Sequence, residues 1–468
     1  MTGKSEANNL KSNTSELLGT TKLFPLLMQM SIPSIIAMLV GGMYNIVDTI
    51  FVGHGAGTLA LAGLSIAFPI QWIVMAFSQM IGIGATAIIS LRLGEKRYEK
   101  AQSALGTAFT LLLLTSVFMS IITLVYYKSI LQFFGASENT LAYACDYLVI
   151  VAWGFPVYSL SIAGANLIRA EGKAKTAMNT MLVGMVLNII LDPIFIFSLN
   201  MGIQGAAIAT VISQTCSTIW ILAFYLGKKS EVQIGLEHLR INWEQLKKMV
   251  LLGLPNFTQT AGMSILTLII NNTLLYYSGD VAIGIYGTIN RLMSFVVMPV
   301  IGIGQGFQPI AGYNFGAEKF DRVKDILKIS AISATVIAGS LCIIMETFPH
   351  ALISLFSSDP GFLKEGAHAL RLMASCTTLM GPFFIFSIYF QAVGKGIQAL
   401  LLGLSRQFFI LIPILLVLPR FLGTTGVWMS FPASDFISFF VTLVVLMREL
   451  AHLNERHEHS IKLAESFG

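Results

Sequence analysis

Charged residues are scarce in this sequence of 468 residues, where they make up 11% of the total. A typical soluble domain carries about 25% charged residues, whereas 55% of this chain is hydrophobic. The net charge is also small, because 29 Lys and Arg residues against 24 Asp and Glu residues leave +5. A nucleic-acid-binding surface needs basic residues clustered on one face. The composition therefore argues against an ordinary soluble domain and against nucleic-acid binding.

Residues that would support catalysis or a bound metal are few as well. The chain has no HExxH motif, no GxSxG motif and no phosphate loop of the form GxxxxGK[ST]. Its seven histidines fall in connections, near the ends of apolar segments or in the C-terminal tail. Four cysteines lie far apart in apolar segments without CxxC spacing, which is typical of small packed side chains: Cys145, Cys216, Cys342 and Cys376. We therefore expect no enzyme activity, no cofactor and no ATP-driven transport.

Long apolar stretches fill most of the chain. Between Lys22 and Arg92 the single formal charge is Asp48, and between Lys175 and Lys228 it is Asp192. Each gap is long enough for two membrane-spanning helices of about 20–25 residues. The sequence predicts an all-α polytopic membrane protein with twelve spans, at residues 23–52, 59–91, 101–127, 139–168, 176–199, 203–227, 248–277, 281–313, 325–348, 362–393, 397–419 and 426–447.

Basic residues are distributed unevenly between the connections. They concentrate in both terminal tails and after the even-numbered spans, for example at residues 92–100 and 319–328. Because cytoplasmic connections carry the excess of Lys and Arg, both termini are predicted to be cytoplasmic in a multi-pass protein of the inner (plasma) membrane. The polar first 21 residues lack the apolar core of a signal peptide, so we expect the first span to be retained.

Several short motifs occur twice in the chain at a nearly constant offset. Ile32-Pro33 recurs as Leu254-Pro255, an offset of 255 − 33 = 222, and Gly82-Ile83-Gly84 recurs as Gly302-Ile303-Gly304, an offset of 302 − 82 = 220. Six spans per copy is an even number, so both copies enter the membrane in the same orientation. The predicted organisation is an N-terminal tail (1–22), an N-lobe (23–227), a linker (228–247), a C-lobe (248–447) and a C-terminal tail (448–468).

Two acidic residues interrupt the apolar spans of the N-lobe, and an ionisable residue inside a span is a functional candidate by default. Asp48 lies in the first span and Asp192 in the fifth, each near the predicted outer end. Polar residues accompany them at helical spacing or at similar depth, namely Tyr44, Asn45, Asn188 and Thr210. Oxygen ligands suit a proton or a hard cation. We therefore predict a cation or proton site at Asp48, Asn188, Asp192 and Thr210.

The C-lobe has lost both of these acids. The repeat places Ile270 or Asn271 opposite Asp48, and Ile412 or Pro413 opposite Asp192. An ion-coupling site is needed only once, so the asymmetry favours a functional role over a structural one. Asp435 is expected to pair with Arg291 or Arg406. Together with other polar residues of the spans, these form a set of candidate substrate or gate contacts: Tyr44, Asn45, Tyr147, Asn271, Asn272, Arg291, Arg406 and Asp435.

With these residues placed, the chain resembles the multidrug and toxic compound extrusion (MATE) family. The resemblance rests on the order and spacing of residues 44–53, 169–173, 188–193 and 290–291, and it covers about residues 23–447. It implies a V-shaped pair of lobes, alternating access, and a cation site at Asp48, Asn188, Asp192 and Thr210. It also implies a bend in the first helix at Pro33. The chain departs from the branch of the family with essential acids in helices seven and ten.

The leading prediction is a secondary active multidrug exporter that antiports amphipathic or cationic organic compounds against H⁺ or Na⁺. The protein is expected to be a monomer in the lipid bilayer, with no partner other than its small organic substrates. One alternative is a flippase for lipids or lipid-linked oligosaccharides, which often has a cavity rich in Arg and Lys. A second is an intramembrane transferase, which would need clustered acids or histidines inside the spans.

Overall fold

The computed structural model describes residues 13–227, 230–233, 235 and 239–466. Within these residues all regular secondary structure is helical, because long apolar segments satisfy their backbone groups internally only as helices or closed barrels. The N-lobe and the tail before it contain eight α-helices: α1 (Asn13–Thr20), α2 (Leu23–Ala56), α3 (Thr58–Gly94), α4 (Tyr98–Phe133), α5 (Glu138–Trp153), α6 (Phe155–Ala170), α7 (Ala174–Pro193) and α8 (Gly202–Leu226). A π-helical segment, Ile194–Ser198, follows α7 directly.

The second half of the chain repeats this order, and two of its helices are longer than any in the first half. It contains α9 (Trp243–Gly316), α10 (Phe320–Thr347), α11 (Pro349–Ser354), α12 (Pro360–Ala374), α13 (Thr377–Ala392), α14 (Gly396–Leu404), α15 (Ile412–Val417) and α16 (Pro419–Ser466). A π-helical segment, Ser405–Leu411, joins α14 to α15. Part of the predicted linker, at residues 228, 229, 234 and 236–238, lies outside the described residues, as do residues 1–12 of the predicted tail.

The helices account for the twelve predicted spans. In the described residues nine helical stretches are long and apolar enough to cross a membrane, and the bent pairs α5–α6 and α12–α13 bring the number to eleven. The 74 residues of α9 would extend about 110 Å if straight, which is far more than one bilayer crossing. Gly279 breaks α9 with φ 73°, a left-handed conformation that favours glycine. Counting α9 as two spans gives twelve.

Three details differ from the predicted boundaries. The span predicted at 139–168 is bent by 60° at Gly154, and the span predicted at 362–393 is bent by 42° between α12 and α13. The polar N-terminal tail contains the helix α1, and α16 continues through the predicted C-terminal tail to Ser466. Several predicted spans stop short of the helix end where charged residues begin, as at Arg92 and Lys128, since hydropathy marks the apolar core of a helix and not its hydrated ends.

The two lobes meet at the ends of the spans that carry the basic connections, here called the basic side. A Cβ atom added to Gly94 of α3 would lie 2.0 Å from the Tyr313 backbone oxygen of α9. A Cβ atom on Gly316 of α9 would lie 2.1 Å from the Leu91 backbone oxygen of α3. These two contacts are repeat equivalents, because 316 − 94 and 313 − 91 both equal 222. Glycine therefore allows the backbones of the two lobes to touch at the basic side.

The hydrophobic cores also indicate that the lobes are joined at the basic side. One hydrophobic cluster runs through both lobes and includes residues near the basic side such as Leu27, Ile89 and Phe307. A second cluster belongs to the N-lobe alone and includes Val52, Leu64 and Ile203, which lie toward the opposite side. The described structure thus joins the lobes at the basic side and gives the opposite side of the N-lobe a core of its own.

Helix α1 closes over the basic side. The Asn314 side chain donates to the Leu18 carbonyl at 2.8 Å, and Arg322 Nη2 donates to the Thr21 carbonyl at 2.8 Å. Lys319 Nζ donates to the Gly19 carbonyl at 2.9 Å. The last carbonyls of a helix have no partner within it, so polar side chains at the end of α9 and around the start of α10 satisfy the end of α1.

Candidate functional site

Three helices of the N-lobe place the predicted coupling residues together. Helix α2 carries Asp48, α7 carries Asn188 and Asp192, and α8 carries Thr210. Pro193 ends α7 directly after Asp192, because proline lacks an N–H and clashes with the preceding turn. The chain continues in the π-helical segment, and such wider turns are frequent at functional sites.

The two carboxyl groups contact each other directly. The carboxyl groups of Asp48 and Asp192 are close enough to interact, and two carboxyl groups can form a hydrogen bond with each other only if one of them is protonated. Asp192 is 0% exposed and Asp48 is 5% exposed, so solvent contributes little to their hydration. With its amide oriented to satisfy both neighbours, Asn188 Nδ2 donates to Asp192 Oδ2 at 2.8 Å and Asn188 Oδ1 accepts from the Thr210 backbone N–H at 3.1 Å.

The acid pair has no counter-charge in the part of the chain that the structure describes. No Lys, Arg or His side chain there forms an ion pair with Asp48 or Asp192. One oxygen of each carboxyl group, Oδ1, is buried without a hydrogen-bond partner among the same residues. Buried polar atoms are normally satisfied, so an orphaned oxygen on each of two interacting carboxyl groups indicates a place for a proton or a cation.

Two tyrosines surround the pair. Tyr44 lies one turn before Asp48, and it lines the same small cavity as Thr210. Tyr147 of α5 is 2% exposed, and its hydroxyl accepts from Gln71 Nε2 at 3.0 Å. Both hydroxyl groups lie close enough to the acid pair to feel its charge. The side chain of Asn45, another predicted contact, falls outside the described residues.

A small cavity opens beside the acid pair, with a volume of about 130 Å³. Tyr44, Asn188 and Thr210 line it, together with polar residues that the sequence reasoning missed: Tyr158, Ser161, Ser213, Gln214 and Ser217. The signal was available, because Thr210, Ser213, Gln214 and Ser217 recur at helical spacing in an otherwise apolar span. Pockets for drug-sized ligands measure about 300–1,000 Å³, so this cavity suits water and a small ion.

The candidate contacts in the C-lobe do not form a second acidic site. Arg406 Nε donates to Asp435 Oδ1 at 2.9 Å, and Arg406 Nη2 lies 2.7 Å from the same oxygen. The guanidinium also lies over the rings of two phenylalanines of α13, Phe383 and Phe384. Of the other predicted contacts, Arg291 and Asn272 are exposed and Asn271 is half-buried. Among the described residues, Asp435 therefore pairs with Arg406 and not with Arg291.

Two further observations concern the helix at Pro33 and the side chains that could hold a metal ion. Helix α2 is continuous through Pro33, so the structure shows one helix at the position of the predicted bend. Across the described ranges, no three His, Cys, Asp or Glu side chains come together in a way that could hold a metal ion. The acid pair thus offers two carboxyl groups with amide and hydroxyl oxygens around them.

The fold and the site define a polytopic membrane protein built from a parallel repeat, with a buried acid pair in one repeat only. The MatE family model matches residues 33–194 and 255–417, two segments that start 255 − 33 = 222 residues apart. That offset is the one seen between Pro33 and Pro255 and in the glycine contacts. The chain belongs to the MatE family.

Named relatives and solved structures agree with this membership. The chain is 29% identical to the multidrug export protein MepA of Staphylococcus haemolyticus over 426 residues, which cover 91% of this chain and 94% of that protein. It is 25% identical to a MATE crystal structure in the straight conformation, with a TM-score of 0.89 and coverage of 95% and 99%. An outward-facing multidrug resistance MATE family transporter gives a TM-score of 0.88 at 25% identity, with the same coverage.

Proposed function

We propose that this protein is a secondary active multidrug exporter that antiports amphipathic or cationic organic compounds against H⁺ or Na⁺. It acts as a monomer in the plasma membrane with both termini in the cytoplasm, and it catalyses no chemical reaction. Family membership and the multidrug export relatives support the export of organic compounds. The main evidence for a role in ion coupling is the buried pair Asp48–Asp192, which lacks a counter-charge among the described residues.

The asymmetry between the lobes supports coupling over a structural role for the acids. A structural hydrogen bond required by the fold would serve both copies of the repeat. The C-lobe has Ile270 or Asn271 at the position of Asp48, and Ile412 or Pro413 at that of Asp192. Neither pair of positions supplies a carboxyl group, so only the N-lobe can take up a proton or a cation in this way.

A proton shared between the two carboxyl groups is one way to neutralise the pair, and a bound cation is the other. Two carboxylates at hydrogen-bonding distance repel each other unless one is protonated or a cation lies between them. A coupling ion changes the balance between two conformations only if it binds them with different affinity. Loss of the proton would leave two like charges in a dry environment and would favour a conformation that separates or hydrates them.

The exported compound would bind outside the acid site. The cavity beside Asp48 and Asp192, at about 130 Å³, is smaller than a drug-sized ligand requires. The lobes touch at the basic side through Gly94 and Gly316, so a compound between them would be closed off from that side. In this arrangement the ion and the compound occupy different places, and they communicate through the movement of α2, α7 and α8.

Transport by purified protein in proteoliposomes tests the coupling role. Wild type, Asp48→Asn and Asp192→Asn would be compared for accumulation of ethidium under an imposed pH gradient and, separately, under a sodium gradient. We expect each Asn variant to lose more than about 90% of gradient-driven transport, because Asn cannot take up a proton and carries no charge. The gradient that drives the wild type identifies the ion.

A matched control is Asp280→Asn, which removes an exposed carboxyl group at the break in α9. This variant should transport ethidium at the wild-type rate under either gradient. Undiminished transport by both Asp48→Asn and Asp192→Asn would show that the acid pair does not couple an ion to export.

A further inference from the structure

A second buried charge lies at the junction of the lobes, far from the acid pair. Arg169 stands one residue before the end of α6 and is 5% exposed. Its Nη2 donates to Asn166 Oδ1 at 2.7 Å, and its Nη1 donates to Gln305 Oε1 of α9 in the C-lobe. Asn166 in turn donates to Gln79 Oε1 at 2.7 Å. The hydrogen-bond partners of this cation are therefore neutral amides from both lobes.

The guanidinium has no acidic partner within ion-pair distance in the described residues. The nearest acid in sequence, Glu171, accepts from the Ser230 hydroxyl at 2.7 Å and from the Glu231 backbone N–H at 2.9 Å. A buried charge without a counter-charge is unfavourable by several kcal/mol. Arginine stays protonated in proteins, so its charge must be balanced by something else.

A cavity of about 50 Å³ adjoins the guanidinium, and it is lined from both lobes. None of its lining residues is acidic, and three of them are glutamines of the C-lobe: Gln305, Gln308 and Gln391. Asn256 also lines it, and the amide nitrogen of Asn256 is buried without a partner in the described structure. Because the space holds a few waters or one small ion, a lone N–H donor beside an unbalanced cation matches a small anion.

We propose that Arg169, Asn256 and the surrounding amides bind a small inorganic anion, with chloride as the physiological occupant. The anion balances the guanidinium and accepts hydrogen bonds that the amides leave unused. Arg169 comes from the N-lobe and Asn256 from the C-lobe, so the complete site exists only while the lobes are joined at the basic side. Chloride therefore stabilises that arrangement, and this holds whether or not the protein exports drugs.

Thermal unfolding of the purified protein in sodium chloride and in sodium gluconate at equal ionic strength tests the proposal. A ligand that binds the folded state raises the melting temperature with its concentration. We expect chloride, and not gluconate, to raise the Tm of the wild type by several degrees. Arg169→Gln, which places in the N-lobe the residue found at the repeat position Gln391, should show no chloride response.

Two further variants keep the test decisive if Arg169→Gln fails to fold. Gln391→Glu supplies a carboxylate from a residue that lines the same cavity, so it should remove the chloride response and raise the Tm in gluconate. Arg291→Gln removes an exposed arginine and should respond to chloride like the wild type. A wild type with equal Tm in both salts, or a full chloride response in Gln391→Glu, would overturn the proposal.

Discussion

The N-lobe buries two carboxyl groups against each other, whereas the C-lobe buries one carboxyl group against a guanidinium. Asp48 and Asp192 interact with each other and have no cationic partner in the described residues, while Asp435 lies 2.7 Å from Arg406. The two charges of an ion pair balance each other, so the pair needs no proton or ion from solution. An acid pair is incomplete until it takes up a proton or a cation, so its occupancy changes with the medium.

The comparison shows which features the two copies of the repeat share and which differ between them. Both lobes keep the same close contacts at the basic side, where the glycines and their partners are related by the repeat offset of 222. Their buried charges differ. We infer that the C-lobe pair holds α14–α16 together permanently, while the N-lobe pair is the part that responds to ions.

The largest expected effect is a difference in stability between variants that remove one carboxyl group from the C-lobe pair or from the N-lobe pair. Asp435→Asn leaves Arg406 without its acid, and breaking a buried ion pair destabilises by about 3–5 kcal/mol. We expect about 3 kcal/mol, since the Arg406 side chain is 20% exposed. Asp192→Asn should change the free energy of unfolding by less than about 1 kcal/mol, because it removes one of two like groups. Chemical or thermal unfolding in detergent measures both.

The control for this comparison replaces the whole C-lobe pair. Arg406→Met with Asp435→Leu leaves no unpaired charge, so the double variant should be close to the wild type in stability. A double variant as unstable as Asp435→Asn would mean that packing, and not the lost charge partner, explains the effect.

The second-largest effect is a dependence of the free energy of unfolding on pH, and it arises from a glutamate of the N-lobe. Burial raises the pKa of Glu171, in the connection after α6, from 4.5 to about 7, although Ser230 and Lys173 oppose the shift. The repeat equivalent is the apolar Val393, since 393 − 171 = 222. Because the folded state holds this proton more tightly, the free energy of unfolding should fall by about 2–3 kcal/mol as pH rises from about 4.5 to 7. Above pH 7 this contribution should stay constant.

Unfolding measured between pH 4.5 and 8 tests this prediction in the wild type and in Glu171→Gln. The Gln variant should lose this part of the pH dependence, because it cannot titrate. Glu244→Gln, which alters an exposed glutamate, should keep the wild-type profile. An unchanged profile in Glu171→Gln would assign the pH dependence to other groups.

The smallest effect should be equal in both lobes. Gly94→Ala and Gly316→Ala each place a Cβ atom about 2 Å from a backbone oxygen of the other lobe, so something must shift. Overpacking of this kind costs about 1–3 kcal/mol, and we expect similar losses of stability for the two variants. Gly287→Ala is the control, because its Cβ atom would meet open space. Clearly unequal losses would show that the interface is not symmetric.

The twelve spans could be predicted because apolar length and basic connections are one-dimensional signals. Pro156 marks the position of the 60° bend at Gly154, whereas the size of the bend depends on how α5 and α6 pack against their neighbours. Within the site, scarcity of charge pointed to Asp48 and Asp192, and the structure brings them together with Asn188 and Thr210. Their role in ion coupling remains a prediction.

Choices that depend on three-dimensional proximity were beyond the sequence. It offered Arg291 and Arg406 as partners of Asp435 with equal weight, and only the structure shows Arg406 beside it. Arg169 was counted as one of the basic residues of a connection, although it is buried between the lobes. Glutamines in apolar spans, at Gln79, Gln305, Gln308 and Gln391, were a signal of this polar junction that the charge pattern did not include.

The contact between α1 and the end of α9 has a consequence for biosynthesis. The Leu18 carbonyl is bound by Asn314, 296 residues later, and the Thr21 carbonyl by Arg322, 301 residues later. At about 5–20 residues per second, the ribosome needs about 15–60 s to make the second partner after the first. Helix α1 can thus reach these contacts only after the eight predicted spans between it and Arg322 have been synthesised, and four more spans follow.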